Sequence, residues 1–144
     1  MGELVPVTLL KLGGSLITHK DVPLSVNWIA LKRVANAISD SRLPSKKRHL
    51  VLVHGGGSFG HYYAGKFGLS MRPKAVPAIS IAKTTESMVE LHSAVLRALV
   101  SARVAPETIL AQELITRNSN LSAAGKQPPD NLRDRVCPSA RRIL

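Results

Sequence analysis

With 144 residues, 44% of them hydrophobic, and mixed charges that sum to +11, the chain can bury the core of one soluble globular domain, and general disorder is excluded. A single cysteine, Cys137, excludes an internal disulfide and a cysteine-based metal site; with no charged-then-apolar leader and no apolar run near the ~18 residues of a membrane span, a cytoplasmic protein without membrane contact is expected. The positive charge raises nucleic acid as a partner, but two Phe, two Tyr and one Trp are too few for a base-stacking platform, so no specific nucleic-acid partner is expected.

In chain order, "VTLLKL" at 7–12 is a short β-prone run that stops at Gly13-Gly14, and reads as a buried strand feeding a tight turn. Alternation points Lys11 away from the side of Leu10 and Leu12, where it either snorkels to solvent or reaches over the turn to a phosphate. After the loop "GGSLITHKDVP", Val26, Ile29, Ala30, Val34, Ala37 and Ile38 recur at helical spacing, with Ser25 placed to cap the helix. The polar segment "SDSRLPSKKRH" closes it, and "LVLV" at 50–53 is a second apolar strand that again ends in glycines. "HYYAGKFG" reads as a short helix and "MRPKAVPA" as a proline-punctuated loop. From Ile79 to about Ala102 a long amphipathic helix places Ile81, Met88, Leu91, Val95, Leu99 and Ala102 on one face. Past Pro106, "ETILAQELIT" still has helical character, whereas the rest is rich in loop formers and is expected to be poorly ordered. Strands alternating with helices indicate a parallel α/β sheet, whose ligands gather at the carboxyl ends of the strands, where both glycine loops lie.

The segment "VLVHGGGSFGH", residues 51–61, fits three catalytic signatures, of which at most one can hold. A dinucleotide fingerprint needs an acidic residue about 20 positions on, and none occurs before Glu86; an NADP variant using Arg72 or Lys74 meets a first turn, "KLGGSL", that lacks the fingerprint. A hydrolase elbow at Ser58 needs an acid and then a histidine, but His92 shares one helix with Glu86 and Glu90 and cannot close a triad. A Walker A loop needs Lys then Ser or Thr, where His61 and Tyr62 stand. The feature common to all three remains: a strand ending in glycines whose backbone N–H groups can turn inward to an anion, against the alternative of a flexible turn without a ligand. Ser15 and Lys20 add a hydroxyl and a cation to the first loop, so the two loops together suit phosphoryl transfer. No acidic residue lies between Asp40 and Glu86, an interval holding Arg42, Lys46, Lys47, Arg48, Lys66, Arg72, Lys74 and Lys83; these form either a solvated basic surface or an electropositive basin for small phosphorylated ligands.

"KLGGSLITHK" followed by "LVHGGGSFGHYYAG" resembles the N-terminal half of the amino acid kinase superfamily and, through "SFGH", is most similar to isopentenyl phosphate kinases and the related fosfomycin kinases. The resemblance implies a three-layer αβα sandwich with a parallel sheet. It further implies that Lys11, Gly13, Gly14, Ser15 and Gly57 bind ATP, that Gly56 and His61 bind the acceptor phosphate, and that Lys11, Lys20 and His61 are catalytic. The implied reaction is Mg2+-dependent transfer from ATP to isopentenyl phosphate, giving isopentenyl diphosphate in an alternative mevalonate pathway, in a protein that forms homodimers through the long helix. An apolar cleft for the acceptor tail would involve Tyr62, Tyr63, Phe67, Met88 and Val95, residues that core packing explains equally well. His54 reads as structural, and His19, His49 and His92 have no evident task. Residues 1–106 then correspond to the acceptor-binding half and 107–144 to a divergent tail, with the family's ATP-binding half absent; a non-catalytic phosphate-binding half-domain, or a kinase for another phosphate or phosphonate, are the alternatives.

Overall fold

The computed structural model describes residues 6–41, 48–71 and 76–109. β1 (Val7–Leu12) and β2 (His49–His54) pair in parallel, with Val7 opposite His49 through Leu12 opposite His54. Between them run a short α1 (Gly14–Ile17) and α2 (Trp28–Ser41); α3 (Gly57–Lys66), a 3-10 turn (Leu69–Met71) and α4 (Ala78–Ser101) follow. The strand ladder continues into the glycine loop, where the Gly55 N–H donates to Leu12 O at 2.9 Å. Both strands therefore deliver their glycine bends to the same end of the sheet.

Alternation along β1 turns Leu10 and Leu12 inward and leaves Val7, Leu9 and Lys11 exposed, as the sequence pattern requires. Leu50 and Leu52 of β2 continue the inward side. Against it pack Leu31, Ala35 and Ile38 of α2 and Leu91, Ala94, Val95, Ala98 and Leu99 of α4, each set at the 3–4-residue spacing of one helix face. On the surface, the Arg97 guanidinium lies over the Trp28 ring, 5.3 Å from its centroid, and ties α4 to α2. The parallel α/β architecture is the expected one. Of its three layers, the described residues supply the sheet and the helical layer on one face, while Val7, Leu9 and Val53 lie open on the other.

Local boundaries differ from the sequence reading in two places. Ser25 does not cap α2: an antiparallel bridge pairs Thr18 with Val26, the Ser25 carbonyl accepts the His19 N–H, and the helix starts only after Asn27, whose Oδ1 accepts the Ala30 N–H at 3.1 Å. The helix read over "HYYAGKFG" begins earlier, inside the glycine run, because Gly57 turns the chain at φ +48° and the Gly56 carbonyl accepts from both Phe59 and Gly60. Residues 107–109, the start of the segment read as a further helix, are not helical. The rest of that helix and the expected disordered tail, together with Arg42, Lys46, Lys47, Arg72, Lys74 and Cys137, lie outside the described residues.

The single core makes a direct prediction. Leu91 is 0% exposed at the centre of α4, and Leu91→Ala is expected to cost about 2–5 kcal/mol, whereas Ile29→Ala on the outer side of α2, 69% exposed, is expected to stay within about 0.5 kcal/mol of the parent in urea unfolding.

Candidate phosphate-binding site

The two glycine bends touch through their backbones. A Cβ built on Gly14 would collide with the backbone N of Gly57 and lie 2.6 Å from its Cα, and one built on Gly55 would lie 2.9 Å from Gly14 N. Gly57 combines a positive φ with a position where a Cβ would meet Thr18 Oγ1 and, at 2.6 Å, Gly14 O. Side chains at these positions would force the bends apart, so glycine here serves close approach as well as conformation.

Thr18 holds the bends together. Its side chain, 2% exposed, donates from Oγ1 to Gly14 O at 2.8 Å and accepts the Ser58 N–H at 3.0 Å, joining the end of α1 to the start of α3. The sequence reading assigned Thr18 nothing, and no periodicity or motif marks it; its role depends on a partner 40 positions away in the chain. The Ser58 hydroxyl faces the Ser25 backbone, 3.4 Å from its N and 3.5 Å from its O, in keeping with the rejection of a hydrolase elbow.

Backbone carbonyls fix where the remaining amides point. A trans peptide sends its C=O and the following N–H in opposite directions. Gly13 O accepts from Leu16 and Ile17, Gly14 O from Thr18, and Gly56 O from Phe59 and Gly60. These bonds orient the N–H groups of Gly14, Ser15 and Gly57, and none of the three donates to a described residue. The Gly56 N–H is likewise uncommitted among the described residues. Four amide donors thus lie uncommitted on two touching bends, and uncommitted backbone N–H groups are what an anion-binding nest is built from.

Lys11, Lys20 and His61, the charged or ionisable residues of the predicted site, have side chains free of partners among the described residues. Lys11 occupies the penultimate position of β1 on the open sheet face, Lys20 follows the Thr18–Val26 bridge, and His61 stands in the second turn of α3. All three are exposed and make no hydrogen bond or ion pair with a described residue. Gly13 differs from its neighbours: at φ −61° its conformation is ordinary, and a Cβ there would meet nothing within 4 Å.

Of the residues read as an acceptor cleft, Tyr62, Tyr63 and Phe67 form an aromatic row along α3, and Met88 of α4 packs its sulfur against Gly56 and Gly60. Val95 lies elsewhere, buried against the sheet. Among the described residues, no three His, Cys, Asp or Glu side chains cluster as metal ligands, and no helix is long and apolar enough to cross a membrane.

Residues 6–138 match the model of the amino acid kinase family. The chain belongs to that family. It is 46% identical over 65 residues to the isopentenyl phosphate kinase of Methanocaldococcus jannaschii, covering 42% of this chain and 25% of that protein. It is 29% identical over 101 residues to the isopentenyl phosphate kinase of Thermoplasma acidophilum, covering 70% and 39%. The solved product complex of the T. acidophilum kinase aligns with a TM-score of 0.61 at 25% identity, over 86% of this chain and 53% of that one. The chain thus spans between 25% and 39% of the length of these two curated relatives.

The clamp is testable without a ligand. Thr18→Val keeps the shape but leaves the Ser58 N–H without an acceptor, and is expected to cost about 1–3 kcal/mol; Thr18→Ser should recover most of it. Equal losses in the two variants, read from urea midpoints, would show that the hydroxyl does not join the bends.

Proposed function

We propose that the touching glycine bends bind the phosphates of ATP and of a phosphate-bearing acceptor, and that the chain is the acceptor-binding part of a kinase that makes isopentenyl diphosphate from isopentenyl phosphate. The observation that carries this reading is the set of uncommitted amides at Gly14, Ser15, Gly56 and Gly57, oriented by bonded carbonyls on two bends in contact. Similarity to kinases named for isopentenyl phosphate supports the acceptor. In this reading residues 1–106 are the acceptor-binding half and 107–144 a divergent tail.

Each residue then has a role that follows from its place. The amides of Gly14 and Ser15, with Gly57, hold the donor phosphates, and Gly13 lacks a side chain because a phosphate passes where one would stand. Lys11, at the strand end beside the first bend, neutralises charge on the transferred group, and Lys20 adds to that field. Gly56 N–H and the exposed His61 imidazole hold the acceptor phosphate, the ring through an N–H donor. An acceptor phosphate oxygen attacks the γ-phosphorus in line; the new P–O bond forms as the bond to the β-phosphate oxygen breaks, and ADP leaves. Mg2+ would be carried chiefly by the substrate phosphates, since the described residues offer no cluster of ligands for it. Exposed Ile81, Val89 and Val100 along α4 support pairing of two copies through that helix. The site needs no membrane and no nucleic acid, which fits a cytoplasmic enzyme of isoprenoid synthesis.

Binding and turnover are separate outcomes because the chain covers only part of its relatives. Isopentenyl phosphate at 100 times its Kd is expected to stabilise the protein by about 2.7 kcal/mol, seen as a rise in Tm. Gly13→Ala and His61→Ala should leave the ligand-free Tm unchanged; His61→Ala should remove that rise, and Gly13→Ala should remove the corresponding rise given by ATP. A Gly13→Ala variant that binds ATP like the parent would contradict close approach of phosphate at the first bend. ATP-dependent formation of isopentenyl diphosphate by the same preparation would establish a complete kinase, and stabilisation without turnover a binding half.

A further inference from the structure

The hydroxyls of Ser80, Thr84, Ser93 and Ser101 in α4 donate to carbonyls one turn back, the ordinary place for such a group in a helix. Ser87 differs. It is 2% exposed on the side of α4 that meets α3, and its hydroxyl, besides lying 2.8 Å from Thr84 O of its own helix, donates across to Phe59 O of α3 at 3.1 Å. One proton serves the two carbonyls in a three-centre bond. The next residue, Met88, lays its sulfur against Gly56 and Gly60. Two consecutive residues of α4 therefore grip the first turn of α3, one through a hydrogen bond and the other through contact. Nothing in the phosphate site or the Thr18 clamp as described uses this buried hydroxyl.

The bond at Phe59 O continues toward the glycine bend. Phe59 O and the Gly60 N–H belong to one planar trans unit and point oppositely, and that N–H donates to Gly56 O at 3.0 Å. Gly56 O and the Gly57 N–H belong to a second such unit, and the Gly57 N–H has no acceptor among the described residues. The Ser87 hydroxyl, the Phe59–Gly60 peptide and the Gly56–Gly57 peptide thus form a directed line in which each group donates to the next, and the last donor is left for an anion. Each bond in such a line draws electrons from the carbonyl it reaches and makes the N–H on the far side a stronger donor, by roughly 10–30% per bond.

We propose that Ser87 is a positioning residue of the phosphate site: from the neighbouring helix, its buried hydroxyl orders the first turn of α3 and both aims and polarises the Gly57 N–H for the donor phosphates. The inference rests on the reading of Gly57 as a donor-phosphate ligand. The Gly56 N–H belongs to the Gly55–Gly56 unit and stands outside the line, so the effect of Ser87 falls on ATP and spares isopentenyl phosphate.

Two variants of the full chain separate this role from packing. Ser87→Ala removes the hydroxyl at a position where alanine favours the helix. Ser80→Ala is the control, because Ser80 is as deeply buried, at 0% exposure, but its hydroxyl reaches Pro77 O at the start of α4. Without ligand, the Gly57 and Gly60 amide protons of 15N-labelled Ser87→Ala should move upfield as weaker donors while those of Gly14 and Ser15 stay, and Ser80→Ala should leave all four in place. In titrations followed by the same resonances, Ser87→Ala should bind ATP on the order of 2- to 10-fold more weakly than the parent and isopentenyl phosphate equally well; Ser80→Ala should bind both like the parent. An equal loss for the two ligands, or a loss that Ser80→Ala shares, would assign Ser87 to packing and overturn the inference, as would a Gly57 amide indifferent to Ser87→Ala. If ATP moves no amide of the parent's bends, the donor-phosphate reading falls and takes the inference with it; if ATP binds the parent and Ser87→Ala alike, the inference falls alone.

Discussion

Backbone contact between Gly14 and Gly57 is the constraint on which the site depends. It requires two residues without side chains at the point of approach, one of them at positive φ, and a buried hydroxyl to join what the missing side chains allow to meet. The strands set this up. In a parallel pair both chains arrive at the same end, and the register of Leu12 opposite His54 brings the two bends out side by side. An antiparallel pair of the same sequences would send them to opposite ends of the sheet, and no common anion site could form.

Much of this scaffold is written in local pattern. Alternation in "VTLLKL" gives β1 with its bounds and places Lys11 on the open face, and the spacing of Met88, Leu91, Val95 and Leu99 gives α4 to within one residue at each end. These features depend on a residue's own side chain and its near neighbours, which periodicity reports. Helix starts were less legible. Ser25 and Asn27 are both competent caps, and the choice between them is made by the Thr18–Val26 bridge, a tertiary contact. Gly57 reads as a loop residue, yet it is the turn that launches α3.

The site itself was half legible. Glycines at strand ends point to phosphate without saying which glycine meets what: Gly14 and Gly57 meet each other, whereas a Cβ on Gly13 would meet nothing within 4 Å among the described residues. Thr18 and Ser87 could not be read, because their partners across the fold lie 40 and 28 positions away in the sequence and no spacing rule connects them. The division of labour is nonetheless consistent. In the proposed reading, oriented neutral amides supply geometry and exposed Lys11 and Lys20 supply charge, while the buried Thr18 hydroxyl joins the bends.

The central claim is that the two touching bends bind the phosphates of donor and acceptor through their amides. Titrating the 15N-labelled protein with isopentenyl phosphate and with ATP, and following the amide resonances of Gly14, Ser15, Gly56 and Gly57, tests it most directly. The account predicts saturable shifts at the second bend with isopentenyl phosphate and at Gly14, Ser15 and Gly57 with ATP, each set following a single isotherm. Amides that stay unmoved by either ligand at saturating concentration, or that shift no more than those of surface residues remote from the bends, would contradict it.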